Sequence, residues 1–204
     1  MDKEQRKKLR EKRTRNYFIE AACKIIEEKG LENLSVRKVA DLAGYHFSTL
    51  YSYFHDINDV KLHAALKFFD DIYKYIQRQI KGQTFDNQLE KYIYIRKTVA
   101  YWSLEHADAY QLINFENLGK DLEKIYKNFF KTQASELELS TFKQSIQELN
   151  LPEHRITLLH DLILSLYYTY FRTYINQRIQ LDREEFINSY LDNIRELFKI
   201  FSGK

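Results

Sequence analysis

The sequence predicts an all-α fold, and three observations carry that prediction. Five glycines and one proline in 204 residues leave little material for the turns of a sheet. Apolar residues recur along the chain at three- and four-residue steps. The chain also closes with two long amphipathic stretches, each repeating that step over several turns. With 44% hydrophobic residues the chain can bury a proper core, as one domain or as a small domain joined to a larger one.

The elements follow in order. Tyr17, Ala21, Cys23, Ile25 and Ile26 form the apolar side of a first helix that ends at Gly30, a position suited to a left-handed residue. Ser35 is a good N-cap, and "SVRKVADLA" places Val36, Val39, Ala40 and Ala43 at helical spacing before Gly44 closes the second helix. A short third helix is expected from His46 to Phe54, then caps at Asp56, Asn58 and Asp59, then a long fourth helix from Val60 to Ile80 that stops at Gly82. Leu89, Ile93, Arg96, Ala100 and Ser103 trace one side of a fifth helix. A short piece near Asp108 to Ile113 precedes one long helix from Leu118 to Leu137, and Ser140 to Leu149 fits either a helical extension or a loop. Pro152 starts a helix with apolar positions Ile156, Leu159, Ile163, Tyr167, Phe171 and Tyr174, and Arg183 starts the last one, with Phe186, Tyr190, Ile194, Leu197 and Phe201. Two such broad apolar faces at the end of a full bundle call for a partner to cover part of them.

The net charge of +3 is unevenly distributed. Through His63 there are 13 Lys and Arg against 10 Asp and Glu, and beyond it 19 against 19. The opening "MDKEQRKKLREKRTR" holds eight basic and three acidic side chains, a cationic arm suited to nucleic acid or an acidic membrane surface. The expected division is therefore residues 1–63, arm and small helical domain, and residues 64–204, a larger helical domain.

One cysteine, Cys23, excludes an internal disulfide and a multi-cysteine metal site, and it reads as a small hydrophobe in its helix. No leader pattern opens the chain, and the longest apolar run, Leu162 to Phe171, is far short of the roughly 20 residues of a bilayer span. The expectation is a soluble cytoplasmic protein without membrane contact. Phosphate loops, nucleophile elbows and His-Glu-x-x-His zinc signatures are missing, and His106 with Asp108 or His154 with His160 lack a third ligand at metal-site spacing. No catalytic residue, metal site or cofactor is therefore assigned.

Two helices joined by a tight glycine turn, preceded by a third helix and a basic arm, describe a helix-turn-helix DNA-binding unit. On a helical wheel Phe47, Leu50 and Phe54 fall together, while His46, Ser48, Thr49, Ser52 and Tyr53 face away with no acidic residue among them. The stretch "AACKIIEEKGLENLSVRKVADLAGYHFSTLYSYF" resembles the N-terminal domain of the TetR family of bacterial transcriptional regulators. The Ala-Ala pair, the Lys-Gly helix end, the Ser-Val-Arg start, the Ala-Gly turn and the Thr-Leu-Tyr-x-x-Phe close all stand at that family's spacings. The match spans about a quarter of the chain.

The resemblance implies a three-helix DNA-binding domain followed by a helical ligand-binding and dimerisation domain. It places Arg37 against DNA, His46, Phe47, Ser48 and Thr49 nearest the base edges, and Tyr51 and Tyr53 on phosphate oxygens. Periodicity alone turns Phe47 into the core, whereas the resemblance offers it to a thymine methyl group. Many family members carry a lysine just before the fourth helix where this chain has Ile57, so His55, Lys61 or the arm is expected to supply the missing charge.

The resemblance also implies a homodimer through the last two helices on a double-stranded, near-palindromic operator, and a small apolar or aromatic effector. The effector candidates are Tyr92, Trp102, Phe115, Tyr126, Phe130, Tyr167 and Phe171. The leading reading is a ligand-responsive repressor. The alternatives are a TetR-like interaction protein or coactivator acting through a protein partner with weakened DNA binding, and a membrane-surface protein using the basic arm.

Overall fold

Asp2 starts the chain's first helix: its carboxylate accepts from the Gln5 N–H at 2.7 Å, and the Gln5 side chain accepts from the Asp2 N–H at 3.0 Å. This reciprocal box lets α1 run from Lys3–Lys29. The cationic arm expected ahead of the first helix is thus the first half of that helix. The computed structural model describes residues 2–118 and 131–203. In them α2 is Val36–Ala43, α3 Phe47–Leu50, α4 Ile57–Ile80, α5 Gln88–Glu105, α6 Ala107–Phe115, α7 Gln133–Ser145, α8 Glu153–Ile175 and α9 Arg183–Ser202. Short 3-10 turns occupy Leu31–Asn33 and Gln147–Leu149, and no strand occurs among the described residues.

Two units divide the chain. The first comprises Met1–Asp71 with His106–Thr132, and the second Ile72–Glu105 with Gln133–Lys204, so the division falls inside α4. In the first unit Phe18, Ala22, Ile25 and Ile26 of α1 are buried with Val39 and Ala40 of α2 and with Val60, Ala64 and Phe68 of α4. Cys23 is buried among them; its thiol donates to the Ala64 carbonyl at 3.9 Å, and burial pushes its pKa up to about 12. Gly44 closes α2 at φ 77°, where a Cβ is disfavoured, and the Tyr45 N–H returns to the Ala40 carbonyl at 2.9 Å. Helix α6 packs on α1, with the Leu31 N–H donating to the Asp108 carboxylate at 3.0 Å and His106 beside Glu27 at 3.2 Å.

In the second unit α5 packs against α7 and α9, and α9 against α8. The apolar faces read from the last two helices are realised: Leu159, Ile163, Tyr167 and Phe171 are buried on α8, and Phe186, Tyr190, Ile194, Phe198 and Phe201 on α9. Their stacked rings include Phe186 with Tyr170 at 4.8 Å and with Tyr174 at 4.0 Å.

Three expectations are corrected. The third helix has four residues, not nine, because the chain turns at Tyr51–Tyr53 and Phe54 reaches the core from beyond the helix. A wheel drawn through Phe54 is therefore misplaced, and Phe47, on the first turn, is 39% exposed rather than buried. Of the helix expected over Leu118 to Leu137, residues 119–130 lie outside the described residues, Leu118, Lys131 and Thr132 are not helical, and α7 starts at Gln133. It continues through Thr141, Phe142 and Ser145, whose burial on one face makes the ambiguous segment helical to Ser145.

Leu50 is fully buried and is the one apolar anchor of α3 proper. Leu50→Ala should destabilise the first unit by about 3 kcal/mol, the usual cost of a leucine-sized cavity, read as a lowered denaturant midpoint at unchanged slope.

Candidate functional site

The turn from α2 into α3 presents a polar surface held from beneath by rings. Leu50 and Phe54 point inward, and Phe18 of α1 lies 5.2 Å from the Tyr45 ring, 5.9 Å from Tyr53 and 6.2 Å from Phe54. With the anchors committed, the intervening polar groups remain outside. His46 caps α3: its Nδ1 accepts from the Ser48 N–H at 3.4 Å and lies 2.8 Å from the Ser48 hydroxyl. A neutral ring with Nδ1 accepting keeps its proton on Nε2, a donor for an outside partner.

Arg37, His46, Phe47 and Ser48 come together. The His46 and Phe47 rings are 4.4 Å apart, and the Arg37 guanidinium sits 5.7 Å above the Phe47 ring, close enough for a cation–π contact. Thr49 is half-buried, Tyr51 is 55% exposed, and Tyr53 is half-buried against Phe18. His55 is exposed at the start of the next turn, its N–H donating to Asp59 at 3.1 Å. From Gly44 through His55 no carboxylate occurs, so nothing on this surface repels phosphate.

Two groups expected to add charge here are used elsewhere. Lys61 donates to Glu116 at 2.7 Å in a groove of about 350 Å3 lined also by Leu31, Glu32, Leu34, Asp108 and Gln111. It therefore does not replace the lysine absent at Ile57, the half-buried first residue of α4. Arg15, counted with the basic arm, donates to the His63 ring at 2.6 Å and lies over Phe54 at 5.1 Å. A run of like charges gives no sign of this supporting role. Sequence reasoning also misses Tyr45; its hydroxyl lies 3.5 Å from that of Thr14, tying α1 to the turn.

The effector candidates fall into three sets. Tyr92, Trp102, Tyr167 and Phe171 are buried in the second unit, Phe115 lies in the first with its ring 5.7 Å from Tyr110, and Tyr126 and Phe130 lie outside the described residues. Inside the second unit one of these rings, that of Tyr167, lies against a buried charge. Arg96, 3% exposed, donates through Nε and Nη2 to the Tyr190 hydroxyl at 2.9 and 2.6 Å, and its Nη1 lies 3.6 Å from the Glu138 carboxylate. The guanidinium also covers the Tyr167 ring at 4.9 Å, and the Tyr167 hydroxyl bonds that of Ser103 at 2.7 Å.

Glu138 binds this cluster together by accepting from Tyr92 at 3.2 Å and lying 3.3 Å from His160 Nε2. Burial pushes its carboxyl upward, but the His160 bond and the Arg96 charge outweigh that and hold it below the usual carboxylate range. Burial pushes the Tyr92, Tyr167 and Tyr190 hydroxyls upward, so they stay protonated as donors. The arrangement joins donors, an acceptor and aromatic faces in one buried cluster whose polar groups bond one another. The buried stripe through Arg96 and Ser103 is visible in the sequence; Glu138 and Tyr190 as its partners are not.

Residues 18–60 match the family described as bacterial regulatory proteins, tetR family. None of the curated proteins matches the chain. Among solved structures, the chain is similar to RolR in complex with resorcinol, at TM-score 0.69 and 13% identity, covering 95% of each chain. It is similar to a tetR-family transcriptional regulator from Streptomyces coelicolor at TM-score 0.69 and 14% identity, covering 94% of this chain and 83% of that one. It is also similar to Thermus thermophilus FadR in complex with lauroyl-CoA, at TM-score 0.65 and 16% identity, covering 91% and 93%.

Glu138→Gln should leave Arg96 buried without a counter-charge and cost about 3 kcal/mol near neutral pH. Because the folded-state pKa of Glu138 is depressed, its contribution is present above the ordinary carboxylate value of about 4.3 and is lost as pH falls through the lower folded value. The gap in melting temperature between wild type and the variant should therefore narrow below about pH 4, as followed by circular dichroism.

Proposed function

We propose, from the match of residues 18–60 to the tetR family of bacterial regulatory proteins, that this chain is a cytoplasmic, ligand-responsive repressor of that family that binds a near-palindromic duplex operator as a homodimer. The observation that carries this reading is the acid-free polar surface of α3, held outward by Leu50 and Phe54. In this reading α3 enters the major groove. His46, Phe47, Ser48 and Thr49 meet base edges, while Arg37, Tyr51, Tyr53 and His55 engage the backbone and fix the register.

Dimerisation is supported by apolar side chains left outside on the last two helices. Leu158 and Leu162 stand one turn apart on the exposed side of α8, and Ile200 of α9 is 64% exposed. Two copies related by a two-fold axis would cover these faces and bring two α3 helices into one assembly. The effector is a small aromatic or apolar molecule bound among Tyr92, Trp102, Tyr167 and Phe171, anchored by a polar atom on the Arg96–Tyr190 pair. A structural neighbour that holds resorcinol is in keeping with an aromatic effector, and one that holds lauroyl-CoA with an apolar acyl chain only.

A second reading, an interaction protein acting through a protein partner, is favoured by Ile57 and by the commitment of Lys61 to Glu116. Gel-shift titration against genomic fragments separates the two: sequence-specific retardation supports the repressor, and its uniform lack supports the partner-based role.

Tyr51→Ala and Tyr53→Phe should each weaken binding by about 1 kcal/mol, by the same factor on every retained fragment, since phosphate contacts carry no sequence information. Affinities equal to wild type would remove the phosphate roles. Trp102 is the only tryptophan of the chain, is buried, and is itself one of the effector candidates. A saturable shift of its emission on titration with small aromatic compounds should accompany release of DNA, and an emission change without release would separate binding from control.

A further inference from the structure

The helicity of the N-terminal run sorts its charges. Lys3, Arg6, Arg10, Arg13 and Tyr17 follow a three-four-three-four spacing, which aligns them along one side of α1. All five are exposed, Tyr17 by 51%. Of the other four basic residues of the run, Lys8 pairs with Glu4 at 3.1 Å, Lys7 with Glu11 at 3.9 Å, Arg15 is tied to His63, and Lys12, exposed, lies at helical spacing on the opposite side of α1. Among the described residues Lys3, Arg6, Arg10 and Arg13 form no ion pair, and Asp2 is occupied in capping.

Among the described residues nothing packs on this stretch. Residues 2–13 are exposed throughout, and burial begins only at Thr14. A polar helix of this length is marginal in water without a partner. It leaves the first unit where Thr14 and Phe18 meet Tyr45 and Tyr53, the residues that flank α3. The four cations span about 15 Å of helix at steps of about 4.5–6 Å, against one phosphate per about 3.4 Å of axis on each strand of B-DNA.

We propose that the first half of α1 is a second DNA contact, with the Lys3–Arg6–Arg10–Arg13 stripe lying on the sugar-phosphate backbone beside the segment read by α3. This rests on the DNA-binding reading above and extends it. The stripe adds affinity and salt dependence to every duplex equally and leaves discrimination to α3.

The test compares full-length wild type with the variant Lys3→Gln, Arg6→Gln, Arg10→Gln and Arg13→Gln by fluorescence anisotropy across a salt series. The probes are a genomic duplex retained by the wild type and a random duplex of equal length. The slope of log affinity against log salt should fall by about 3.6 in the variant, so that between about 50 and 200 mM salt the wild type loses roughly 100-fold more affinity than the variant does. The affinity ratio between the two duplexes should not change. Arg6→Lys, Arg10→Lys and Arg13→Lys together should keep the wild-type slope, whereas Lys7→Gln, Lys8→Gln and Lys12→Gln should change it by less than half as much per charge.

Equal slopes for wild type and the four-glutamine variant would overturn the stripe and leave the regulator reading standing. An equal drop per charge on both faces would also overturn it. A wild type that discriminates between no duplexes would instead overturn the regulator reading, while the random duplex still reports on the stripe. Retention by phosphatidylserine vesicles, lost in the variant while duplex slopes stay fixed, would assign the stripe to membranes and overturn this proposal.

Discussion

A helix of four residues has one intrahelical turn and cannot hold its own shape in water. Helix α3 persists because Leu50 is buried from within it and Phe54 from just beyond it, while Phe18 supplies a ring against which Tyr45, Tyr53 and Phe54 gather. Everything on the outer surface follows from that grip. His46 is positioned to cap the helix, Ser48 to receive the cap, and Phe47 is forced out beside Arg37. The stiffness of this surface is thus supplied by neighbours of α3 and not by α3.

The second unit solves a different problem. A guanidinium in a core is costly unless both its charge and its donors are met, and here Glu138 answers the first and Tyr190 the second. Glu138 also engages Tyr92 and His160, so one carboxylate gathers groups from α5 and α8 around α7. Such a cluster permits few alternative packings, because shifting any of its helices leaves a buried polar group without a partner.

Helices with strong periodicity are legible in the amino-acid order alone: α2 between Ser35 and Gly44, and the long apolar faces of α8 and α9, which use caps and spacing that act locally. So is the existence of a short polar helix after Gly44, though not its length. The non-helical state of Lys131 and Thr132 is not legible, since neither is a glycine or proline. The helical state of the basic run depends on the Asp2–Gln5 cap, a weak signal beneath a strong charge pattern. The engagement of Lys61 and Arg15 depends on Glu116 and His63, which are 55 and 48 residues away in sequence. A helical wheel misplaces the phase of α3 because it assumes that the helix continues, whereas it ends at Leu50.

Cys23 has a practical corollary. A thiol that is enclosed and so reluctant to ionise is a poor nucleophile, so maleimides and mild oxidants will pass the native protein by. A cysteine introduced at an outward position of α1 would then be the sole reactive sulfur, allowing a spin label or dye to be placed without first mutating the natural residue.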